Sequence, residues 1–520
     1  MLGTMSVRMV VALCTLVPCL GTALLAGCSI LPSLENRRTS TALFDTRDTK
    51  LGKALSPRLD AHPGLSGLYP LPDPRDAFAA RALLARAAER TLDIQYYIWR
   101  NDMSGTLLFD ALRSAADRGV RVRLLLDDNE TSGLDPLLAS LNSHSNIEVR
   151  LFNPFVIREP RWVDYITDFF RLNRRMHNKS FTADNQATII GGRNIGDEYF
   201  DATARLMFSD LDVLAVGPVV TEVSKDFDRY WASGSSYPAE RLLPAVNPAA
   251  LAELTSSALR VERDPAAQAY MNSLRKLSFM HEMNEGSLVL DWAETRMVSD
   301  DPAKGLGQAV PEALLFPKLR EIIGESAAEV YVESPYLVPT PPELDEFVAL
   351  AERGVKVKML TNSLQSTDVP VVHAGYAKRR KPLLEAGVTL YELQRLSPDT
   401  APRSPGRMGS SGASLHAKAF SVDNSRVFIG SFNFDPRSST LNTEMGFVVD
   451  SPVLARNFET AFQRRVAGSA YEVRLLDTGQ LYWVERQDGE WVRYDTEPGT
   501  SFWQRVQVWL LSTLPIEWLL

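Results

Sequence analysis

Between residue 76 and residue 126 the apolar positions change period three times. Asp76 to Arg90 carries Phe78, Leu83, Leu84 and several alanines at helical spacing, whereas Leu92 to Trp99 (Leu-Asp-Ile-Gln-Tyr-Tyr-Ile-Trp) is a short run of strand formers. Ser104 is placed to cap a second helix that buries Leu108, Leu112 and Ala115 and closes at Gly119. Val120 to Leu126 then returns as a buried strand ending in Asp127-Asp128. Strand, helix and strand with short links predict a right-handed parallel crossover.

The second half repeats this rhythm. Glu329 to Tyr336 reads as a strand, and Thr340-Pro341-Pro342-Glu343 is a capping box with Pro at the first helical position. The helix it opens ends at Gly354, and Val355 to Leu360 is the next strand. Arg118-Gly119-Val120-Arg121-Val122 matches Arg353-Gly354-Val355-Lys356-Val357 at an offset of 235 residues. Two copies of one unit are expected, with lobes at 61–245 and 311–470 and a mixed connecting segment at 246–310 that carries no evident site chemistry. Ser397 to Ser414, rich in Ser, Gly, Pro and Arg, is expected to be a mobile loop near the site.

The ends differ from the body. Arg8 precedes an apolar run from Met9 to Ala26 that ends Leu25-Ala26-Gly27-Cys28, which reads as a lipoprotein signal (1–28) with lipidation at Cys28; an uncleaved anchor is the alternative. Processing at Cys28 would remove Cys14 and Cys19 and leave no disulfide candidates among the three cysteines. Residues 29–60 read as a polar tether leaving the membrane. The body is thereby expected in the bacterial envelope, facing the periplasm. The extension 471–520 ends in Phe502-Trp503 and Ile516-Glu517-Trp518-Leu519-Leu520, where an interfacial helix and a core-packing helix are equally open.

Length and composition bound the function. With 520 residues at 45% hydrophobic there is ample core for two lobes, and a net charge of -8 is a poor footprint for a nucleic-acid binder.

The chemistry sits in a repeated pattern. His177-Asn178-Lys179 and His416-Ala417-Lys418 are each followed, after four residues, by Asp184 and Asp423. Asn194 and Asn433 both stand 17 residues after their histidine, although the chain has only six His. On a strand, residues two apart share a face, so each copy presents an imidazole beside an ammonium. Asp184-Asn185 and Asp423-Asn424 are turn dipeptides between apolar runs, which favours a structural part for the aspartates over direct participation.

Two such pairs brought face to face suit a phosphodiester. Lys179, Lys418, Asn194 and Asn433 can hold the non-bridging oxygens; one imidazole attacks phosphorus while the other protonates the leaving alkoxide. The imidazoles need different environments, with carboxylates as orienters. Glu444 leads into a strand in the second copy, and aligning Pro452 with Pro218 puts Asp210 at the matching place, with Asp212 a near alternative. Ser431 offers a phosphate-binding hydroxyl where the first copy has Gly192. No metal-ligand cluster is visible, and neither metal nor cofactor is expected.

The duplicated His-x-Lys-x4-Asp resembles the signature of the phospholipase D superfamily. Gln95-Tyr96-Tyr97-Ile98-Trp99, Leu124-Leu125-Leu126-Asp127-Asp128-Asn129, Asn173-Arg174-Arg175-Met176-His177 and Gly430-Ser431-Phe432-Asn433-Phe434-Asp435-Pro436-Arg437-Ser438 are similar to its cardiolipin synthases of the C type. The resemblance implies two fused phospholipase D-like α/β/α lobes related by a pseudo-two-fold axis, with the active site at their interface. It also implies phosphatidyl transfer from phosphatidylethanolamine or phosphatidylglycerol to the glycerol headgroup of phosphatidylglycerol. The active-site set it implies is His177, Lys179, Asp184, His416, Lys418 and Asp423, with His177 as the nucleophile. Phospholipid substrates and a membrane surface are the expected partners, with no nucleic acid. Hydrolysis of a phospholipid is the competing chemistry, and a nuclease is disfavoured by the net charge.

Overall fold

The computed structural model describes residues 31–202, 207–246, 256–261, 263–395, 413–487 and 489–520. The expected signal with Cys28, and most of the expected loop from Ser397, lie outside them.

In the first lobe, strand Thr91–Ile98 pairs parallel with Arg121–Glu130, which pairs parallel with Ile147–Phe152. On its other edge Thr91–Ile98 pairs antiparallel with Ser180–Ala183, followed by Ala187–Gly191, Asp212–Val216 and Ser66–Leu71. The second lobe repeats the order: Glu329–Glu333 pairs parallel with Lys356–Asn362, which pairs parallel with Thr389–Leu393. On its other side lie Ala419–Val422, Arg426–Gly430 and Met445–Asp450, all antiparallel. The mixed α/β fold and its duplication are as the periodicity predicts.

The segment expected to be a mere connector splices the two sheets. Strand Asp291–Ser299 pairs antiparallel with Ser66–Leu71 through Ser66↔Ala293 and with Met445–Asp450 through Glu294↔Asp450. One sheet therefore runs through both lobes. Leu68, Ile190, Val213 and Ala215 of the first lobe pack against Leu415, Ala419, Ile429 and Phe447 of the second in a shared apolar core.

Local chemistry explains the crossover helices. Met103–Asp117 is capped by Asp102, whose carboxylate accepts the Gly105 N–H, and the Ser104 hydroxyl turns to Asp102 instead of capping. The cap thus lies two residues before the expected one, because the carboxylate takes the free amide. Gly119 follows with φ of 96°, a conformation that glycine adopts without a Cβ penalty. The capping box forms as expected: Thr340 opens Pro341–Glu352, and Glu343 accepts the Thr340 N–H at 2.6 Å.

Two expectations are corrected. Residues 31–60 are a strap, not a free tether: the Arg37 guanidinium donates to the Ser233 and Ser236 carbonyls, Ala42 N–H donates to Asp228, and Lys50–Ala61 is a helix. Thr46, fully buried, donates to the Asp184 carbonyl at 2.5 Å. Hydrogen bonds fasten this stretch where large apolar side chains are scarce, so low hydrophobicity did not mean disorder. The extension after residue 470 likewise begins as sheet: Ala470–Leu475 pairs with Thr389–Leu393, and Leu481–Gln487 and Glu490–Tyr494 continue the edge. Helix Phe502–Ser512 then packs on Pro370–Glu385 but buries only Val508 of its own residues. Among the described residues no helix is long and apolar enough to cross a membrane.

Candidate active site

Each histidine sits where its lobe hydrogen-bonds to the other. His177 N–H donates to the Thr443 carbonyl at 2.9 Å, and Thr443 N–H donates back to the Arg175 carbonyl. On the other side Ala413–Leu415 pairs parallel with Met207–Ser209, and His416 N–H donates to the Ser209 carbonyl at 2.8 Å. The residue after each of these partners is a carboxylate. His177 Nδ1 therefore meets Glu444 Oε2 at 2.8 Å, and His416 Nδ1 meets Asp210 Oδ2 at 2.5 Å. Both site imidazoles are held by an acid from the opposite lobe.

With Nδ1–H given to a carboxylate, Nε2 of each ring is left free to act on substrate. Both rings line one cavity of about 290 Å³, together with Tyr97, Asn194, Tyr199, Tyr336, Asn433 and Arg437. Lys179 and Lys418 are buried and donate to the carbonyls of His177 and His416. Among the described residues no group of three or more His, Cys, Asp or Glu could hold a metal ion.

The two halves differ electrostatically. Burial, then the Lys179 and Lys418 ammoniums, push the His177 imidazole well below its ordinary value. Its partner Glu444 is raised to about 7 by burial. Burial also lowers Lys179 to about 7. His416 is lowered too, by burial and Lys418, but Asp210 pulls the other way. Burial alone would raise Asp210, yet His416, Lys418 and Arg193 hold it below the usual carboxylate range. A charged Asp210 suits a proton-carrying His416, and a depressed His177 suits a free base.

The matched positions of Ser431 and Gly192 have a different meaning from the expected one. The Ser431 hydroxyl donates to Glu444 Oε2 at 2.5 Å, so it steadies the carboxylate and is not among the residues lining the cavity. Ser438 donates to the other oxygen of Glu444 at 3.0 Å. In the first copy the shorter Asp210 fills that space: a Cβ on Gly192 would lie 2.1 Å from its Oδ1. Gly192 with Asp210, and Ser431 with Glu444, are two solutions to one packing problem. Asp212 pairs with Arg81 at 2.9 Å and Arg193 at 3.4 Å and orients neither histidine.

Asp184 and Asp423 are occupied elsewhere. Asp184, fully buried, accepts the backbone N–H groups of Glu89, Arg90 and Thr91 at the start of the central strand. Asp423 accepts those of Ala327, Ala328 and Glu329, the matching turn. Both lie in the left-handed region, with φ of 50° and 52°. These carboxylates bond backbone amides, and neither lines the cavity, which corrects their place in the expected active-site set. Asp184→Ala is expected to lower unfolding free energy by about 2–4 kcal/mol, because one buried and two part-buried amides lose their acceptor. Chemical denaturation measures this, and turnover per folded molecule should stay within about twofold of the parent.

Asn194 and Asn433 both line the cavity. Asn194 accepts the Ile98 N–H and donates to the Tyr199 hydroxyl at 3.1 Å, and Asn433 Oδ1 is buried without a protein partner. The residues that pattern reading missed are aromatic. Tyr97 packs edge-on to His177 with centroids 5.1 Å apart, and Tyr199 does so to His416 at 5.3 Å. Tyr97 lies near the end of the first lobe's central strand and Tyr336 just after the second's, at the same offset of 239 residues as His177 and His416, a correspondence that aligning the two copies would have exposed.

A family profile described as "Cardiolipin synthase, PLD-like domain" matches residues 82–231 and 319–466. The chain is 51% identical over 474 residues to cardiolipin synthase C of Escherichia coli (strain K12), covering 91% of this chain and all of that one. It is 32% identical over 492 residues to an uncharacterized protein of Helicobacter pylori (strain ATCC 700392 / 26695), covering 92% of this chain and 95% of that one. Among solved structures it is similar in fold to the phosphatidylserine synthase of Haemophilus influenzae Rd KW20, with a TM-score of 0.53 and 13% identity over 82% of this chain and 92% of that chain.

Proposed function

The chain belongs to the cardiolipin synthase family of phospholipase D-like enzymes, and on that premise we propose how its cavity carries out cardiolipin synthesis. It is a phosphatidyltransferase, and the donor is a phospholipid, phosphatidylglycerol or phosphatidylethanolamine. His177 Nε2 attacks the donor phosphorus, the bond from phosphorus to the headgroup oxygen breaks, and His416 gives that oxygen its proton. The phosphatidyl group is then held on His177. His416, now neutral, takes the proton of a glycerol hydroxyl of phosphatidylglycerol; that oxygen attacks phosphorus, the P–N bond breaks, and cardiolipin leaves.

The observation that carries this reading is the crossed pair of carboxylates, which turns both Nε2 atoms toward one cavity. Asn194 and Asn433, which line the cavity, can hold the non-bridging oxygens, while Lys179 and Lys418, buried behind the histidines and outside the lining, favour the growing negative charge through their field. The family's substrate implies association with a membrane. We extend this to a lipoprotein anchored at Cys28 in the bacterial envelope, a reading supported by the apolar run before it.

Expression in a cardiolipin-null bacterium tests the function. Cardiolipin is expected with the intact chain and none with His177→Ala. Phosphatidate in place of cardiolipin would mean that water is the acceptor.

A further inference from the structure

Large apolar side chains are exposed in two clusters that the catalytic mechanism does not use. One is the turn-rich segment after residue 160, where Trp162, Ile166 and Phe170 are 64%, 73% and 77% exposed. The other is helix Phe502–Ser512 and the residues after it, where Phe502, Trp503, Trp509, Leu510 and Trp518 are all exposed. Far apart in sequence, the two are joined in space. Phe169 meets Trp518 edge-on at 6.3 Å, and Glu517 is held by Lys378 and Arg379 of the helix on which Phe502–Ser512 packs.

The joint lies against the catalytic cavity. Arg437, part of its lining, donates to the Leu519 carbonyl at 3.0 Å and to the Asn173 carbonyl at 2.7 Å, and its own N–H donates to the Leu520 carbonyl. One cavity residue thus clamps the end of each aromatic segment. The cavity, about 290 Å³ and walled by His, Asn, Asp and Tyr side chains, has room for a headgroup and phosphate but not for two acyl chains. The chains of a bound phospholipid must stay outside, beside the mouth.

From this we infer that the two segments form one docking platform for a phospholipid bilayer, which seats the acyl chains of the substrate beside the cavity while Arg437 fixes the platform to its wall. The inference rests on the phospholipid reading above. Exposed Trp and Phe on an amphipathic helix that also carries Gln504, Arg505 and Gln507 favour the headgroup boundary, where the ring is buried and the indole N–H stays wet. The occupant is lipid because the reactants are lipid and the patch borders the place where they react.

The test uses the full chain in vesicles, with Trp162→Ala/Phe170→Ala and Trp503→Ala/Trp509→Ala as paired variants. On vesicles of long-chain phosphatidylglycerol, turnover by each pair is expected to fall about tenfold. On monomeric dihexanoyl-phosphatidylglycerol it should stay within about twofold of the parent, because no bilayer is needed. Brominated acyl chains should quench the parent's tryptophan emission, and the quenched fraction should shrink in Trp503→Ala/Trp509→Ala. Equal losses on both substrates, or unchanged turnover on vesicles with unchanged quenching, would overturn the platform; the second result would assign the patch to a protein partner. A parent chain that consumes neither substrate would instead sink the phospholipid reading, and quenching would still report on the platform.

Discussion

Alanine at His177 is expected to lower cardiolipin formation by about five orders of magnitude, as loss of a nucleophile does when no neighbour can replace it. Burial and two nearby ammoniums depress its ring more strongly than that of His416, which Asp210 partly offsets, and its Nδ1 is committed to Glu444. Alanine at His416 should be nearly as damaging overall but different in kind. Without the proton donor the first step slows, yet His177 can still displace a good leaving group, and nothing then activates the acceptor. A phosphatidyl adduct should therefore accumulate on His416→Ala and never on His177→Ala, read by intact mass of the protein after rapid quenching at neutral to alkaline pH, where a phosphohistidine survives. The reverse pattern would exchange the two roles, and substantial turnover by both variants would contradict a shared cavity.

Glu444→Gln should cost between about 10² and 10⁴ in kcat, the range expected when a buried carboxylate that orients a catalytic imidazole becomes an amide of the same shape. Glu444 is fully buried and accepts from His177, Ser431 and Ser438, and an amide cannot serve all three while keeping the tautomer that leaves Nε2 free. The pH profile separates this from simple damage. In the parent, kcat/KM falls on the acid side as His177 gains a proton, at a pH below the ordinary imidazole value. On the alkaline side it should fall first as His416 loses the proton it must donate, and again above about 7, where Lys179 loses its charge. Glu444 raises Lys179, so its removal should carry the alkaline limb to lower pH. An unmoved limb would mean that Glu444 only fills space.

Much of this was legible in the sequence because duplication makes spacing meaningful. Two His-x-Lys pairs, each 17 residues before an Asn, point to one composite site, and the matched Arg-Gly-Val segments mark the repeat. Glu444 and Asp210 could be picked out by aligning the copies. What alignment within a copy cannot reveal is which histidine each acid will face, since that depends on the two short inter-lobe pairings around Thr443 and Ser209. Ser431 misled for a related reason. A hydroxyl beside a phosphate site looks like a ligand, and only packing reveals that Glu444, one carbon longer than Asp210, needs it. The strap at residues 31–60 was unreadable because its order comes from bonds to Asp228 and the Asp184 carbonyl, far away in the chain.

The crossing of acids and imidazoles has a consequence for ancestry. A single-copy forerunner could not have finished its own reaction centre: folded alone, it would present a base with no acid behind it and an acid with no base in front. Two identical chains exchanging these groups would be the smallest working unit, and joining their genes would preserve the swap while letting the halves diverge into donor and acceptor. Cutting the present chain in its connector should thus yield fragments that are inert singly and recover activity only on reassociation.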